Sequence, residues 1–527
     1  MSLLIFGCVY YLLTSLSLYL LFPKMGLDAW KALVPVYNFI EWGRVMGKKT
    51  TSTLWILVPI VNFFTYASMS VDLVRSFGQM SWWSSFLGVV ASPYKFWQLS
   101  RDKNAAFEPN IVPTEQAWKD EVKAAYKNND KRAIEKLSKS KFQKNTPREW
   151  GEAIIFAVFA AAFIRMFFFE MYVIPTSSME GSLLVGDYLA VSKVSYGLRT
   201  PQTVIQVPLL HNRLPFDKGE SYLSSPKLGF HRFFGSPETS LHRNDPFVFN
   251  YPEGDSVYCY PGRTFSINDA RREPMVANAI RGMTLNVRPV DKRDHYIKRC
   301  VAIAGDTLEV RDRQLYINGV VAQNPTNLQY TYLIKSKAPL NMQAIEDMGV
   351  NMKEAQTAPD GFTAQLTNAD VERIKAFGNG VVVELVPQAD SSRDAGKIFP
   401  HDPAHYHWNV DNYGPIWIPK AGVQVTLSAE NIAFYRRIIS VYEGNTFVER
   451  GGKFIINGVE TTTYTFKQSY YWAMGDNRHN SEDSRYWGFV PSDHVMGKPM
   501  FIWLSTKGAN IFKGINWNRM FTSANKM

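Results

Sequence analysis

The side chains whose types could do nucleophilic chemistry together in this chain are a hydroxyl and an amine that lie far apart in the sequence. A serine hydroxyl is a poor nucleophile until a base takes its proton. The usual base is a histidine backed by a carboxylate. The chain has nine histidines, and none lies in a local signature with a serine. A lysine can serve instead if it is neutral, and burial among apolar groups lowers its pKa from about 10.4 by penalising the charged form. Two segments meet these demands. Ile174-Pro175-Thr176-Ser177-Ser178-Met179 follows an apolar run directly, and Tyr296-Ile297-Lys298-Arg299-Cys300-Val301 reads as a strand. In a strand Lys298 and Arg299 point to opposite faces, so one can enter an apolar cleft while the other meets solvent or a carboxylate.

The elements that hold these segments fall into two kinds. Residues 1–22 carry no charge and match the roughly 20 residues a helix needs to cross a bilayer. Further apolar runs cover residues 53–71, 80–97 and 153–171, the last interrupted by Arg165, which can snorkel or pair with Glu170 near the membrane edge. Lysine and arginine crowd residues 23–52 and 100–149, and such loops stay on the cytoplasmic side. If all four runs span, both basic loops lie inside, and the N-terminus and everything after Met171 lie outside. The net charge of +11 then reflects basic loops facing anionic lipid. Nucleic acid is the weaker reading, because acids interleave the linker's lysines and stacking aromatics are sparse there. The linker lacks Gly and Pro between 115 and 144 and reads as one or two solvated helices.

After Met171 short alternating runs separated by Gly, Asn and Pro predict antiparallel β structure. Residues 305–320 (GDTLEVRDRQLYINGV) and 444–459 (GNTFVERGGKFIINGV) repeat one pattern, each a hairpin turning at 311–313 or 451–452. Residues 322–399 carry mixed signals, with helical stretches at NMQAIEDMGVNMKEAQ and NADVERIKAF. The expected fold is thus a mainly β catalytic body with N-terminal transmembrane helices and a mixed insertion. Its parts are a membrane domain of about three spans (1–99), a basic cytoplasmic linker (100–149), an anchor helix (150–171), a β-rich body (172–321 and 420–515) and an insertion (322–419).

The serine and lysine segments resemble two sequence boxes of the type I signal peptidases. A third segment, Gly475-Asp476-Asn477-Arg478-His479-Asn480-Ser481-Glu482-Asp483-Ser484-Arg485, is similar to that family's most specific box, and Asn244 to Phe249 resembles its strand between serine and lysine. The boxes stand in family order between about 151 and 505, with the insertion outside the resemblance. The resemblance implies a serine endopeptidase at the outer (periplasmic) face of the inner membrane that removes signal peptides with small residues before the cut. It implies Ser178 as nucleophile, Lys298 as base, Thr176 with the Ser178 N–H as oxyanion donors, and Ser481 as the hydroxyl orienting the amine. It implies a structural network of Asp476, Arg478, Asp483 and Arg485, and pocket walls at Ile174, Pro175 and Ile297. No metal or cofactor is implied; the partners are secretory precursors and the bilayer. Thr176 replaces a commoner serine, His479 a frequent aspartate, and Gly181-Ser182 a frequent Pro-Thr, which predicts a looser loop after the nucleophile. Residues before Ala105 also resemble a small membrane domain found ahead of some signal peptidases, with no chemistry attached.

Other readings carry less. His401, Asp402, His405 and His407 form a metal-like cluster in a stretch that reads as a surface loop. Cys259 and Cys300 pair only in an oxidising compartment. The aromatic residues Phe167–Phe169, Trp472, Trp487 and Trp503 suit membrane-edge anchoring and core packing. The rival functions are a serine–lysine protease dedicated to a pilin-like precursor and a membrane-anchored β domain that only binds a partner.

Overall fold

The computed structural model describes residues 2–57, 61–203, 206–207, 210, 212, 214, 220–223, 229–252, 256–260, 263–272, 274–378, 380–387 and 396–524; for 2–7, 259, 260, 263, 264, 268, 269 and 272 only the backbone is described. Contacts divide the chain into two compact units, Met1–Ala157 and Val158–Met527.

In the first unit, helix α1 (Ser2–Leu21) contains no charge. It ends in a tight turn over Phe22–Met25, closed by Gly26 at a φ of 72°. Leu18, Leu21 and Phe22 pack with Trp42, Leu73, Phe96 and Leu99 in one core. Ser17 Oγ donates to the carbonyl of Pro93 (2.8 Å), and the Lys24 ammonium donates to the carbonyls of Leu99 and Asp102.

The run 53–71 is divided between a short turn at Leu54–Leu57 and helix α2 (Val61–Ser76). The run 80–97 is divided between α3 (Trp82–Val90) and α4 (Ser92–Arg101), with non-helical Ala91 between them and a proline in the first turn of α4. Pro93 has no N–H to give the carbonyl of Val89 and its ring crowds that carbonyl, while it suits a first turn, so α3 cannot run on through it and a new helix starts. At about 1.5 Å per residue, α3 and α4 each cover roughly half of a hydrocarbon core about 30 Å thick. Among the described residues two helices are long and apolar enough to cross a membrane, one over Cys8–Met25 and the other, α7, over Thr146–Phe167. The linker forms two helices, α5 (Ile111–Lys127) and α6 (Lys131–Ser138), the second capped by the Asp130 side chain. It is not wholly solvated: Arg75 and Glu115 form a buried ion pair at 2.7 Å.

In the second unit a seven-stranded antiparallel sheet forms from β1 (Phe169–Val173), β2 (Asp187–Ser192), β3 (Pro246–Asn250), β4 (His295–Ala302), β5 (Tyr470–Met474), β6 (Val490–Pro491) and β7 (Val495–Ser505). Their order is β1-β2-β7-β3-β4-β5-β6. The central strand β3 is buried along its whole length. Alternation sends Phe247 and Phe249 into one core with Tyr471 and Trp487, and Val248 into another with Ile174, Leu189 and Ile502.

Both repeated segments are hairpins. Thr307–Arg311 pairs with Gln314–Ile317, and Phe447–Arg450 with Lys453–Ile456. Asp312 and Arg313 adopt positive φ, matching Gly451 and Gly452 in the second copy. The hairpins belong to separate sheets, but Leu308 and Ile317 share a core with Phe454 and Ile456.

The segment after 322 builds a sheet of its own, ordered Gln356–Ala358, Gly361–Leu366, Tyr330–Lys335, Val382–Leu385. The helices Met342–Asp347 and Asn368–Lys375 lie where the sequence placed helical stretches, and Ile334, Ile345, Leu366 and Ile374 form this piece's core. Its last stretch, Tyr413–Trp417, leaves that sheet and pairs with Thr307–Arg311 of the body.

Candidate active site

Lys298 occupies the middle of β4, opposite Phe247 of β3. It is 2% exposed, and its Nζ donates to Ser178 Oγ, a residue 120 positions earlier. Ser178 lies in a single tight turn, Ser177–Met179, that follows β1. Burial pushes the Lys298 amine down to about 8, although Asp483, Glu482 and Asp476 oppose the shift. A hydroxyl against an amine that sheds its proton near neutrality can form and release an acyl group.

The neighbours lock this pair. Asn477 donates its backbone N–H to the carbonyl of Ser178 (3.2 Å) and its side-chain amide to the carbonyl of Ser177 (3.2 Å). Gly475 must be glycine, because a Cβ there would lie 2.2 Å from Ser481 Oγ and 2.5 Å from the carbonyl oxygen of Ser178. Ser481 Oγ is thereby packed beside the nucleophile's backbone. It is buried and forms no hydrogen bond among the described residues, the lysine amine included. Thr176 Oγ1 lies 3.5 Å from Ser178 Oγ. Of the expected pocket walls, Ile174 is buried in the core, Ile297 packs on that core partly exposed, and Pro175 is exposed.

The expected network resolves into two ion pairs. On the face of β4 opposite Lys298, Arg299 grips Asp476 with two bonds of 2.8 and 2.6 Å and reaches the carbonyl of Asn244. Arg485 grips Asp483 in the same way (2.9 and 2.7 Å), and Asp483 also accepts the Gly475 N–H (3.0 Å). Burial pushes the Asp483 carboxyl up, but Arg485 and the Gly475 N–H outweigh it and hold it below the usual range. Arg478 contributes its backbone carbonyl to Arg485, while two of its own buried guanidinium nitrogens have no hydrogen-bond partner among the described residues. Trp472 and Trp487 are buried core residues, and Trp503 stays exposed.

Two departures acquire a structural meaning. The loop after the nucleophile is not loosened by Gly181-Ser182. A Cβ on Gly181 would stand 2.1 Å from the carbonyl oxygen of Asn327, and Ser182 Oγ accepts from Arg299 (3.3 Å), so the loop is pinned on both sides. His479 is fully buried; its Nε2 meets Asp411 Oδ1 at 2.8 Å and its Nδ1 accepts the Thr331 N–H at 3.1 Å. An imidazole nitrogen that accepts carries no proton, so the proton is on Nε2. Elsewhere, His405 pairs with Asp402 at 2.8 Å. Cys300 is a free, buried thiol, and the Cys259 side chain lies outside the described residues.

A serine hydroxyl and a buried lysine amine thus touch on an antiparallel β scaffold. The sequence matches the family described as "Signal peptidase, peptidase S26" over residues 147–361 and 433–504, and residues 30–108 match a family of unknown function, DUF5684. The signal peptidase I of Haemophilus influenzae is 26% identical over 70% of this chain and 74% of its own length. That of Buchnera aphidicola subsp. Acyrthosiphon pisum is 23% identical over 75% of this chain and 87% of its own. That of Aquifex aeolicus is 50% identical over a 44-residue stretch, 8% of this chain and 17% of its own. The chain belongs to the signal peptidase family, peptidase S26, and is a serine peptidase. The match continues to residue 361, so the first part of the segment after 322 lies inside the family and the unmatched stretch is 362–432.

Proposed function

We propose that the chain is a membrane-anchored endopeptidase that removes signal peptides from secretory precursors, with Ser178 as nucleophile and Lys298 as general base. The observation that carries this reading is the contact between a buried amine whose pKa is about 8 and the Ser178 hydroxyl. Neutral Lys298 takes the hydroxyl proton as Ser178 attacks the carbonyl. The resulting ammonium returns a proton to the leaving amine, and water, activated by the same amine, releases the acyl group. The Ser178 N–H and the Thr176 hydroxyl face the developing oxyanion. Ser481 packs against Gly475 beside the Ser178 backbone, and Ile174, Pro175 and Ile297 border the sites for small side chains before the cut.

The body works at the outer face of the inner membrane. With α1 and α7 spanning, the basic stretches 23–52 and 100–149 lie inside and the body outside. Spanning by the second and third runs as well leaves that parity unchanged. Phe169, Met171 and Val173 on β1 and Trp503, Phe512, Trp517 and Phe521 in and after β7 are exposed, which suits a bilayer surface. The test is incubation of the purified chain with a secretory precursor carrying Ala-X-Ala before its cut, wild type beside Ser178→Ala and Lys298→Ala. Release of the mature fragment by wild type alone is expected; cleavage by either variant refutes the assignment.

A further inference from the structure

We infer that the segment after residue 322 is a brace for the nucleophile turn, and that Glu354 is its principal positioning residue. The inference rests on Ser178 acting as nucleophile.

The attachments of this segment converge on two loops, the turn that carries Ser178 and the loop 475–485. Gln329 runs parallel to Asn477, donating its N–H to the carbonyl of Asp476 (3.0 Å) and accepting the Arg478 N–H (2.9 Å). The Thr331 N–H and Asp411 hold the His479 imidazole from both sides. The Asn327 carbonyl fills the space a side chain on Gly181 would occupy. Asn351 donates to Glu180, two residues beyond Ser178 (3.0 Å), and burial together with the neighbouring Glu354 pushes the Glu180 carboxyl up.

The contact nearest the reacting hydroxyl is made by Glu354, in the short turn Met352–Glu354. One carboxylate oxygen accepts the Ser177 hydroxyl at 2.6 Å and the other accepts the Asn480 amide at 2.6 Å, while Asn480 also donates to Ser177 Oγ at 3.0 Å. Ser177 is 4% exposed, and it has no part in the acid–base chemistry assigned to Ser178. The three side chains close a triangle that joins the brace, the nucleophile turn and the loop 475–485. Bonds to a charged acceptor are stronger and more directional than neutral ones. The turn preceding Ser178 is one residue long on this side, so a shift of Ser177 moves Ser178 Oγ relative to the Lys298 amine. Misplacement of a reacting atom by about 1 Å costs on the order of a hundredfold in rate. Glu354 is exposed, so its loss leaves no buried vacancy and the fold stands.

The test uses the full chain in detergent with an Ala-X-Ala peptide, comparing Glu354→Ala, Ser177→Ala, their double variant and Glu354→Gln. Glu354→Ala and Ser177→Ala should each lower kcat on the order of tenfold with KM and the pH midpoint of Lys298 unchanged. The double variant should be no slower than the slower single one, because each single change already breaks the Ser177–Glu354 bond and opens the triangle. Glu354→Gln keeps an acceptor for Ser177 and should recover part of the loss. A kcat within twofold of wild type for Glu354→Ala, losses that multiply in the double variant, or an effect confined to KM overturns the inference. Ser178→Ala separates the two claims: residual cleavage there removes the nucleophile assignment, whereas an inert Ser178→Ala beside a fully active Glu354→Ala removes only the brace.

Discussion

Titration from about pH 6 to about pH 9 should switch peptide cleavage on through a single ionisation, that of Lys298. With the amine at about 8, its neutral fraction grows from about 1% at pH 6 through about a half at pH 8 to about 90% at pH 9, so kcat/KM should rise roughly 90-fold over this range and level off above it. A solvated lysine near 10.4 would instead give a rate that keeps climbing about tenfold per unit through the same range. The same shift has a stability counterpart of definite sign. The folded value lies below the unfolded one, so between about 8 and 10.5 the unfolded chain binds the extra proton and folding stability rises with pH. About 2.5 units at about 1.4 kcal/mol each is roughly 3 kcal/mol carried by burying the charged amine at neutral pH. Lys298→Met removes that cost, so the inactive variant should melt higher than wild type at pH 7, and the two melting curves should converge towards pH 10.5. Initial rates with a fluorogenic peptide and thermal melting in detergent, each across this pH range, give the two readouts. A rate that is flat from pH 6 to 9, a rate that never levels, or parallel melting profiles would refute the buried-base argument.

Ser481→Ala should lower kcat less than Ser178→Ala or Lys298→Ala, because its hydroxyl packs the site without bonding to the amine; steady-state kinetics on one peptide ranks the three. Gly475→Ala forces a methyl into Ser481 Oγ and the Ser178 carbonyl, and should abolish cleavage with a stability loss of about 1–3 kcal/mol, read by melting. Arg299→Met leaves the Asp476 carboxylate buried without its partner and should destabilise by about 3–5 kcal/mol, much of it regained when Asp476→Leu is added. His479→Asp sets two carboxylates against each other beside Asp411, and should raise amide exchange around Thr331 while leaving the far strands of the sheet unchanged.

The family was legible in the sequence because its markers are short consecutive boxes: a serine after an apolar run, a lysine among apolar strand residues, and a loop dense in charge. The hairpins were legible for a similar reason, since each two-residue turn, Asp312-Arg313 within 311–313 and Gly451-Gly452, stands between alternating runs. The strand order was not, because β7 enters the sheet between β2 and β3 only through pairings that span hundreds of residues. The same holds for contacts that bind the site together. Ser177 and Glu354 are 177 positions apart and His479 and Asp411 are 68 apart, with no local pattern to connect them. The apolar runs 53–71 and 80–97 read as spans because length and hydrophobicity were counted. The run 80–97 instead breaks at Ala91, just before the proline in the first turn of α4, and within 53–71 the chain turns at Leu54–Leu57 before α2 begins. The loop after Ser178 read as loose because a Gly-Ser pair was judged without the Asn327 carbonyl that fits against it.

Lys298 sheds its proton near pH 8 only if the acids around it do not keep it charged, and three of them act on it. Asp483, Glu482 and Asp476 each raise the pKa of Lys298, yet burial prevails. The reason lies in how two of those carboxylates are covered. Asp476 is gripped by Arg299 and Asp483 by Arg485, each by two parallel bonds, and the Gly475 N–H adds a third bond to Asp483. A carboxylate joined to a guanidinium acts at a distance as a dipole, whose field falls off faster than that of a bare charge. The pairs therefore hold the loop 475–485 rigid against Ser178 without presenting the amine with the full negative charge that their carboxylates carry. That is why the arginine following the lysine matters to the lysine. By pointing to the other face of β4 Arg299 takes up Asp476, while Arg485, which itself lowers the Lys298 pKa, takes up Asp483.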